Sequence, residues 1–254
     1  ETVAMRAERG EGRGLAGMAP ATLLHGRIWL LRPLLGARRE ALRAMLRAEG
    51  VDWIDDPSNE NVTSERVRVR RRLADGAERE ALLRRAAAAS AERIDLGRRA
   101  AGAIERRASA PCPGLIRLDP AFIRDADRLA ATYALRLLLA TSGGRTVLPE
   151  QERVDAVLDR LAQGPVRATL SGAVVDSRRG GVFIHREGRG LPEPCAPVDG
   201  AVWDGRYRIA GKHPPASTLV APTGPAQAAR LADSIDDTPP ALARAAFAAE
   251  PSLW

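Results

Sequence analysis

Residues 78–108 contain no proline and are built largely from Ala, Arg, Glu and Leu, which favour helix strongly. Such a run predicts one long helix, and it separates parts of the chain with different apolar periodicity. Downstream, Val154, Val157, Leu158 and Leu161 recur at i, i+3, i+4 and i+7 and stop at Gly164. That spacing predicts a second helix with one buried face. Asp119-Pro120 places a capping carboxylate before a proline suited to a first helical position, predicting a helix to about Thr141. Ser142-Gly143-Gly144-Arg145 then reads as the turn that ends it, with no further role. Residues 75–164 thus read as an α-helical segment.

The period changes after Pro165. Residues 166–170 and 181–186 read as strands, with turn chemistry at Arg179-Gly180-Gly181. Ala201-Val202-Trp203 and Tyr207-Arg208-Ile209 flank Asp204-Gly205, a strong hairpin signal. Residues 165–254 read as a small β-rich C-terminal segment whose end, after Lys212, is rich in Pro and Ala with short helical stretches. Residues 1–74 mix the two periods. Ile28-Trp29-Leu30-Leu31 is a continuous apolar run that predicts a buried strand, ended by Pro33. Ala41, Leu42, Met45 and Leu46 place a helix over 37–49, with Gly50 as its stop. Residues 53–59 are a polar loop with local side-chain capping. No internal repeat is visible.

The formal net charge is +7, and arginine carries almost all of the positive side, since Lys212 is the only lysine. Excess positive charge favours polyanionic partners through counterion release. Base-composition bias of the genome explains the Arg-over-Lys preference equally well. Aromatic residues make up only 4%, so the core must be built from Leu, Val, Ile and Ala. Cys112 and Cys195 are far apart and beside prolines, which predicts free thiols. His25, His185 and His213 are isolated, so no metal site is expected. No apolar run reaches the roughly 20 residues of a membrane span, and the start ETVAMRAERG has no signal-peptide character. A soluble cytoplasmic protein is expected. Oligomeric state is not legible.

Five local signals crowd into the first segment: Glu1-Thr2; a Gly-rich loop from Arg9 to Gly14 running into Leu15-Ala16-Gly17-Met18; Arg32-Pro33-Leu34-Leu35; Asp55-Asp56-Pro57-Ser58-Asn59; and Arg66-Val67-Arg68-Val69-Arg70. Singly, each has an ordinary reading as a turn, a capped loop or a solvated basic face. Together and in order they resemble the tRNA(Ile)-lysidine synthetase family. The catalytic domain of that family ends in an E-T segment, a Gly-rich loop into GLAGM, R-P-L-L, a helix, a W-x-x-D-P-S/T-N loop and R-x-R-x-R. The resemblance is specific over residues 1–73. It continues more loosely through Arg167-Ala168-Thr169-Leu170-Ser171-Gly172, Arg186-Glu187 and Val202-Trp203-Asp204-Gly205-Arg206.

One departure is clear. The family's S-G-G-x-D-S loop, which cradles ATP phosphates through backbone N–H groups, does not occur in these residues, nor do the histidine and paired aspartates that precede E-T. The resemblance therefore implies an N-terminally truncated synthetase. Its fold would be an α/β remnant of a PP-loop domain (adenine nucleotide α-hydrolase-like), followed by the helical and β-rich segments. The implied reaction is ATP-dependent ligation of free L-lysine onto C2 of the wobble cytidine of an isoleucine tRNA with a CAU anticodon, through an adenylated intermediate. ATP would be a co-substrate with Mg2+, and the fragment alone would be inactive.

Lysine carries a carboxylate and two amines, so its site needs charge of both signs. Glu1 matches the position that would hold an ammonium or act as a base, and Arg66 the position that would clamp a carboxylate or phosphate. Arg70 joins them as a substrate-binding candidate. Arg68 and Arg70 would touch tRNA or ATP phosphates; an ion pair with Asp55 or Asp56 is the structural alternative. On the long helix, Arg84, Arg85, Arg98 and Arg99 are candidates to track tRNA phosphates, as is the pair Arg106-Arg107. A solvated face with salt bridges to Glu80, Glu92 and Glu105 is the alternative there. Two other functions remain open. One is a non-catalytic tRNA-binding remnant. The other is a different PP-loop tRNA-modifying enzyme such as a cytidine thiolase, although the CxxC clusters expected of a thiolase are absent.

Overall fold

The computed structural model describes residues 2–8, 13–24, 28–56, 61, 63–73, 76–124, 127–211, 215 and 217–254. The chain divides into two compact units, Glu1–Asp95 and Leu96–Trp254.

The first unit carries α1 (Thr2–Ala7), a 3-10 turn (Arg13–Ala16), β1 (Ala21–Leu24), β2 (Ile28–Leu31), α2 (Arg39–Ala48), α3 (Glu65–Arg72) and the first part of α4 (Gly76–Arg107). Its core is small: Ala4, Val69 and Leu73, with Met5 and Leu82 packed against them. α2 forms where its periodicity predicts and stops at Gly50, whose φ of +66° is the left-handed conformation that glycine adopts without strain. None of α2's residues is buried. The strand predicted at Ile28–Leu31 is present as β2, antiparallel to β1, but it is not buried. Ile28, Trp29, Leu30 and Leu31 are 63, 62, 41 and 65% exposed. A continuous apolar run is the pattern of a strand covered on both faces, and among the described residues this hairpin is covered on neither.

The second unit is a five-stranded antiparallel sheet with helices on both faces. Its strands are β3 (Ala108–Cys112), β4 (Leu115–Leu118), β5 (Arg167–Leu170), β6 (Ala173–Arg178) and β7 (Gly181–Arg186), in the spatial order β3-β4-β7-β6-β5. Side-chain alternation along the central strand β7 serves two cores. Val182 and Ile184 face α5 (Arg128–Ser142) and α6 (Gln151–Gln163), where Leu135, Leu139, Val154 and Leu158 are fully buried. Phe183 points the other way, toward α7 (Pro225–Ala232) and α8 (Pro240–Ala248), and packs with Leu115, Leu242 and Ala246. The predicted stripe Val154, Val157, Leu158 and Leu161 is buried as expected. Two short antiparallel pairs complete the unit: the hairpin β8 (Val202–Trp203) with β9 (Tyr207–Arg208), and β10 (Val220–Pro222) with β11 (Pro251–Leu253), which α7 and α8 separate in the chain.

Three expectations need correction. The segment 75–164 is not all helix, because β3 and β4 lie inside it and complete the sheet. Asp119-Pro120 opens only a 3-10 turn (Pro120–Phe122), with the Asp119 carboxylate accepting from Ala121 N–H at 2.7 Å. The long helix begins afterwards, capped by Asp127, which accepts from Ala130 N–H at 3.1 Å. Finally, β6 lies between the two strands anticipated after Pro165. A two-residue turn at Ser171-Gly172, with φ of 57° and 77°, returns the chain early. The Asp204-Gly205 hairpin is as predicted, with φ of 51° and 68°, the left-handed pair of a type I′ turn.

Candidate functional site

In the first unit, the Arg66–Arg70 run lies on α3 rather than on a strand. Val67 and Val69 turn inward at 6 and 5% exposure, and the arginines turn out. Arg66, in the first turn, is exposed, and its side chain makes no hydrogen bond or ion pair among the described residues. Arg68 is exposed and donates from Nη1 to the Thr63 carbonyl at 2.8 Å, while Arg70 is half-buried. At the end of α3, Arg72 bridges Glu8 at 2.5 Å and Glu78 at 3.3 Å, which ties α3 to α1 and α4. The hydrogen bond to Glu8 raises the Arg72 pKa above its ordinary value. Glu1, the candidate to hold an ammonium of lysine, lies outside the described residues, as do His25, His213, Pro57, Ser58, Asn59 and most of the Gly-rich loop.

A cluster that sequence reasoning passed over sits beside the W-x-x-D-P-S-N loop. Arg39, Arg43 and Arg47 recur every four residues on one face of α2. The Arg43 and Arg47 guanidiniums each lie 5.1 Å from the Trp53 ring centroid. Asp55 accepts from Arg39 at 3.3 Å, from Trp53 Nε1–H at 3.2 Å and from Arg43. Asp55 is therefore bound by the α2 arginines Arg39 and Arg43, and not by Arg68 or Arg70 of the basic run. The spacing of the three arginines was the available signal.

The arginines of α4 divide by environment. Arg84, Arg85 and Arg98 are exposed, and Arg84 lies 3.9 Å from Glu80 one helical turn earlier. Arg99 is half-exposed and pairs with Asp127, whose pKa is lowered by that bond and by the Ala130 N–H. Arg99 thus helps to fix the start of α5.

The looser motif residues of the second unit form a buried ionic chain. Asp204 receives Nε and Nη2 of Arg186 at 3.0 and 2.9 Å and Nε of Arg206 at 2.7 Å. Arg206 continues to Glu250 at 2.8 Å, and the Tyr207 hydroxyl donates to the same carboxylate. The four charged side chains are only 4–10% exposed. Arg186 also donates to the carbonyls of Gly172, Glu187, Arg189 and Gly190. Burial and the Glu250 hydrogen bond push the Tyr207 pKa well above its ordinary value. Nearby, burial and the Glu250 charge raise the Cys112 thiol, which keeps it protonated. Charges so fully paired hold the hairpin, the β7 end and the α8 end together, a structural role.

Among the described residues no group of three or more His, Cys, Asp or Glu is placed to hold a metal ion. No helix of the described residues is long and apolar enough to cross a membrane.

Residues 1–77 match the PP-loop domain family. The whole chain is 51% identical to a tRNA(Ile)-lysidine synthase of Mesorhizobium japonicum, of which it covers 57%. It is 36% identical to the tRNA(Ile)-lysidine synthase of Rhizobium meliloti over 92% of the chain and 53% of that protein. It is 35% identical to that of Brucella anthropi over 82% of the chain and 49% of that protein. The chain thus spans about half the length of the curated relatives it matches. A segment over residues 1–77 that matches the PP-loop domain family, followed by helices and a compact antiparallel sheet unit, and similarity to the tRNA(Ile)-lysidine synthases over nearly all of the chain place it with that family.

Proposed function

We propose that this chain is the larger part of an enzyme that uses ATP to join lysine to C2 of the wobble cytidine in the CAU-anticodon isoleucine tRNA. The observation that carries the reading is the 51% identity over the full chain, which includes the PP-loop segment. Adenylation of the cytidine oxygen and displacement of AMP by the lysine amine need an arginine that can grip a carboxylate or phosphate through paired N–H donors. Arg66 supports that role because it is displayed outward on a helix anchored from beneath by Val67 and Val69, with its guanidinium uncommitted among the described residues. Glu1 would hold an ammonium of lysine, and Arg70 would add to the substrate contacts. Arg68, Arg84, Arg85, Arg98 and Arg99 would meet tRNA phosphates, with Arg99 in the weakest position because Asp127 already engages it.

With this reading goes a PP-loop part over 1–74; the further division into a tRNA-holding part over 75–164 and a C-terminal part over 165–254 runs through one sheet, because β4 pairs with β7. The 254 residues contain no S-G-G-x-D-S phosphate loop, so ligation is proposed for the longer protein, acting in the cytoplasm, and not for this chain alone. The test joins the phosphate-loop portion of the Mesorhizobium relative to this chain and incubates the product with ATP, lysine and the isoleucine tRNA. The tRNA should gain the mass of one lysine at its anticodon, and an elongator methionine tRNA should not. An unmodified isoleucine tRNA, with ATP demonstrably bound, would defeat the proposal.

A further inference from the structure

The turn at Ser142-Gly143-Gly144-Arg145 does more than end α5. Three turns of the second unit meet there backbone to backbone. A Cβ on Gly143 would fall 1.9 Å from the Ser171 carbonyl oxygen, and one on Gly144 would fall 2.0 Å from that of Asp204. From the opposite side, a Cβ on Gly205 would lie 2.2 Å from the Gly144 oxygen. Such approaches are open only to glycine. The Arg145 N–H is itself tied to the Ala140 carbonyl at 2.8 Å. The loop that follows is fastened at its far end, where Arg136 Nε donates to Pro149 O at 2.7 Å.

This junction displays one cation. The Arg145 guanidinium lies over Gly172, whose missing side chain leaves room for it: a Cβ there would be 3.2 Å from Arg145 Nε. Arg145 is exposed, and its side chain makes no ion pair or hydrogen bond among the described residues. The neighbouring Arg153 pairs with Glu150, and Arg206 is consumed by Asp204 and Glu250. Two clefts, of about 630 and 390 Å³, meet at Arg145. Both volumes fall within the range of pockets that take small organic groups, about 300–1,000 Å³. The larger cleft has an apolar floor that includes Pro111, Pro113, Ile116 and the Tyr207 ring. That ring is immobilised by its hydroxyl bond to Glu250 and by Arg206, 4.9 Å from its centroid.

We propose that this cleft binds one unpaired nucleotide of RNA, with a phosphate on Arg145 and the base on the Pro111, Pro113 and Tyr207 floor. The inference rests on the tRNA-directed reading above. It names an unpaired nucleotide because a single cation beside an apolar, aromatic floor recognises a splayed base and its phosphate. Backbone tracking of a duplex would need a row of free cations.

The experiment measures anisotropy of a labelled single-stranded RNA oligonucleotide and of a blunt RNA duplex on the 254-residue chain across a salt series. Arg145→Ala should weaken single-strand binding about tenfold and reduce its salt slope by roughly one phosphate contact, about 0.7 in the logarithmic plot. Duplex binding should change less than twofold. Arg179→Ala, an exposed arginine of the β6–β7 turn, should change neither. An oligonucleotide carrying 4-thiouridine should crosslink within residues 110–116 or 205–207. Matching melting curves for parent and variants would show that folding is intact. Single-strand affinity within twofold of the parent for Arg145→Ala, an equal loss for duplex, or crosslinks confined elsewhere would each overturn the site. None of these results bears on whether the extended enzyme forms lysidine, so this proposal and the proposed function fail separately.

Discussion

Replacing Asp204 by alanine removes the centre of the buried ionic chain. In the parent its two oxygens neutralise Arg186 and Arg206, which are 4 and 7% exposed. The Arg186 guanidinium would keep its carbonyl partners but lose its compensating charge, and Arg206 would keep only Glu250 and the Ala249 carbonyl. Breaking a buried pair from one side costs about 3–5 kcal/mol. In a unit of this size each kcal/mol shifts Tm by about 2–4 °C, so the expected fall is roughly 6–20 °C. Calorimetry and urea unfolding would both read it. A companion variant separates uncompensated charge from lost packing. Arg186→Met, Asp204→Leu and Arg206→Met together remove all three charges at similar volume and should be markedly less destabilising than Asp204→Ala alone. A loss under about 1 kcal/mol for Asp204→Ala, or a triple variant as unstable as the single one, would refute the reasoning.

Other consequences are open to simpler measurements. Leu158→Ala opens a cavity under the sheet where the parent side chain is fully buried and should cost about 2–5 kcal/mol by denaturant unfolding; a loss below 1 kcal/mol would mean that α6 does not pack as described. Burial lowers the His185 pKa, the Arg167 charge adds to it, and together they outweigh the bond to the Arg186 carbonyl and the nearby Asp176 carboxylate. The unfolded chain therefore takes up a proton first, so His185 should make stability decline as pH falls below about 6.5, and His185→Leu should flatten that part of the stability–pH curve. An unchanged slope would assign the decline to other groups. Ile28→Thr with Trp29→Ser should lower dye binding and aggregation of the 254-residue chain, because both side chains are more than 60% exposed; unchanged behaviour would show that the hairpin is covered in solution.

The elements legible in advance were those whose pattern is local. The α6 stripe, the α2 stop at Gly50, the α5-ending turn and the Asp204-Gly205 hairpin each follow from a few neighbouring residues. β3 and β4 were missed because Ala108–Cys112 continues the Ala-rich composition of α4 and becomes a strand only through its long-range pairing with β4. Asp119-Pro120 and Asp127 are both good caps, and only packing of α5 on the sheet selects the second. The exposure of β2 was not legible, since an apolar run specifies that a face should be covered and not what covers it. At the candidate site, the order of motifs pointed to α3 and Arg66. The Trp53–Asp55 cluster needed α2 brought against the loop, and the setting of Arg145 needed three glycine turns from distant parts of the chain to meet.

The proposed enzyme would ligate lysine and would present Arg66 of α3 to its substrates. The most direct measurement is AMP formation that depends on both lysine and the isoleucine tRNA, compared for the chain alone, the chain extended with the phosphate-loop portion, and the extended chain carrying Arg66→Ala. AMP should form only with the extended chain, and Arg66→Ala should lower its rate about 100-fold or more, the scale seen when one donor to a developing charge is removed. Turnover by the 254-residue chain alone, or an extended Arg66→Ala enzyme as active as its parent, would contradict the proposal.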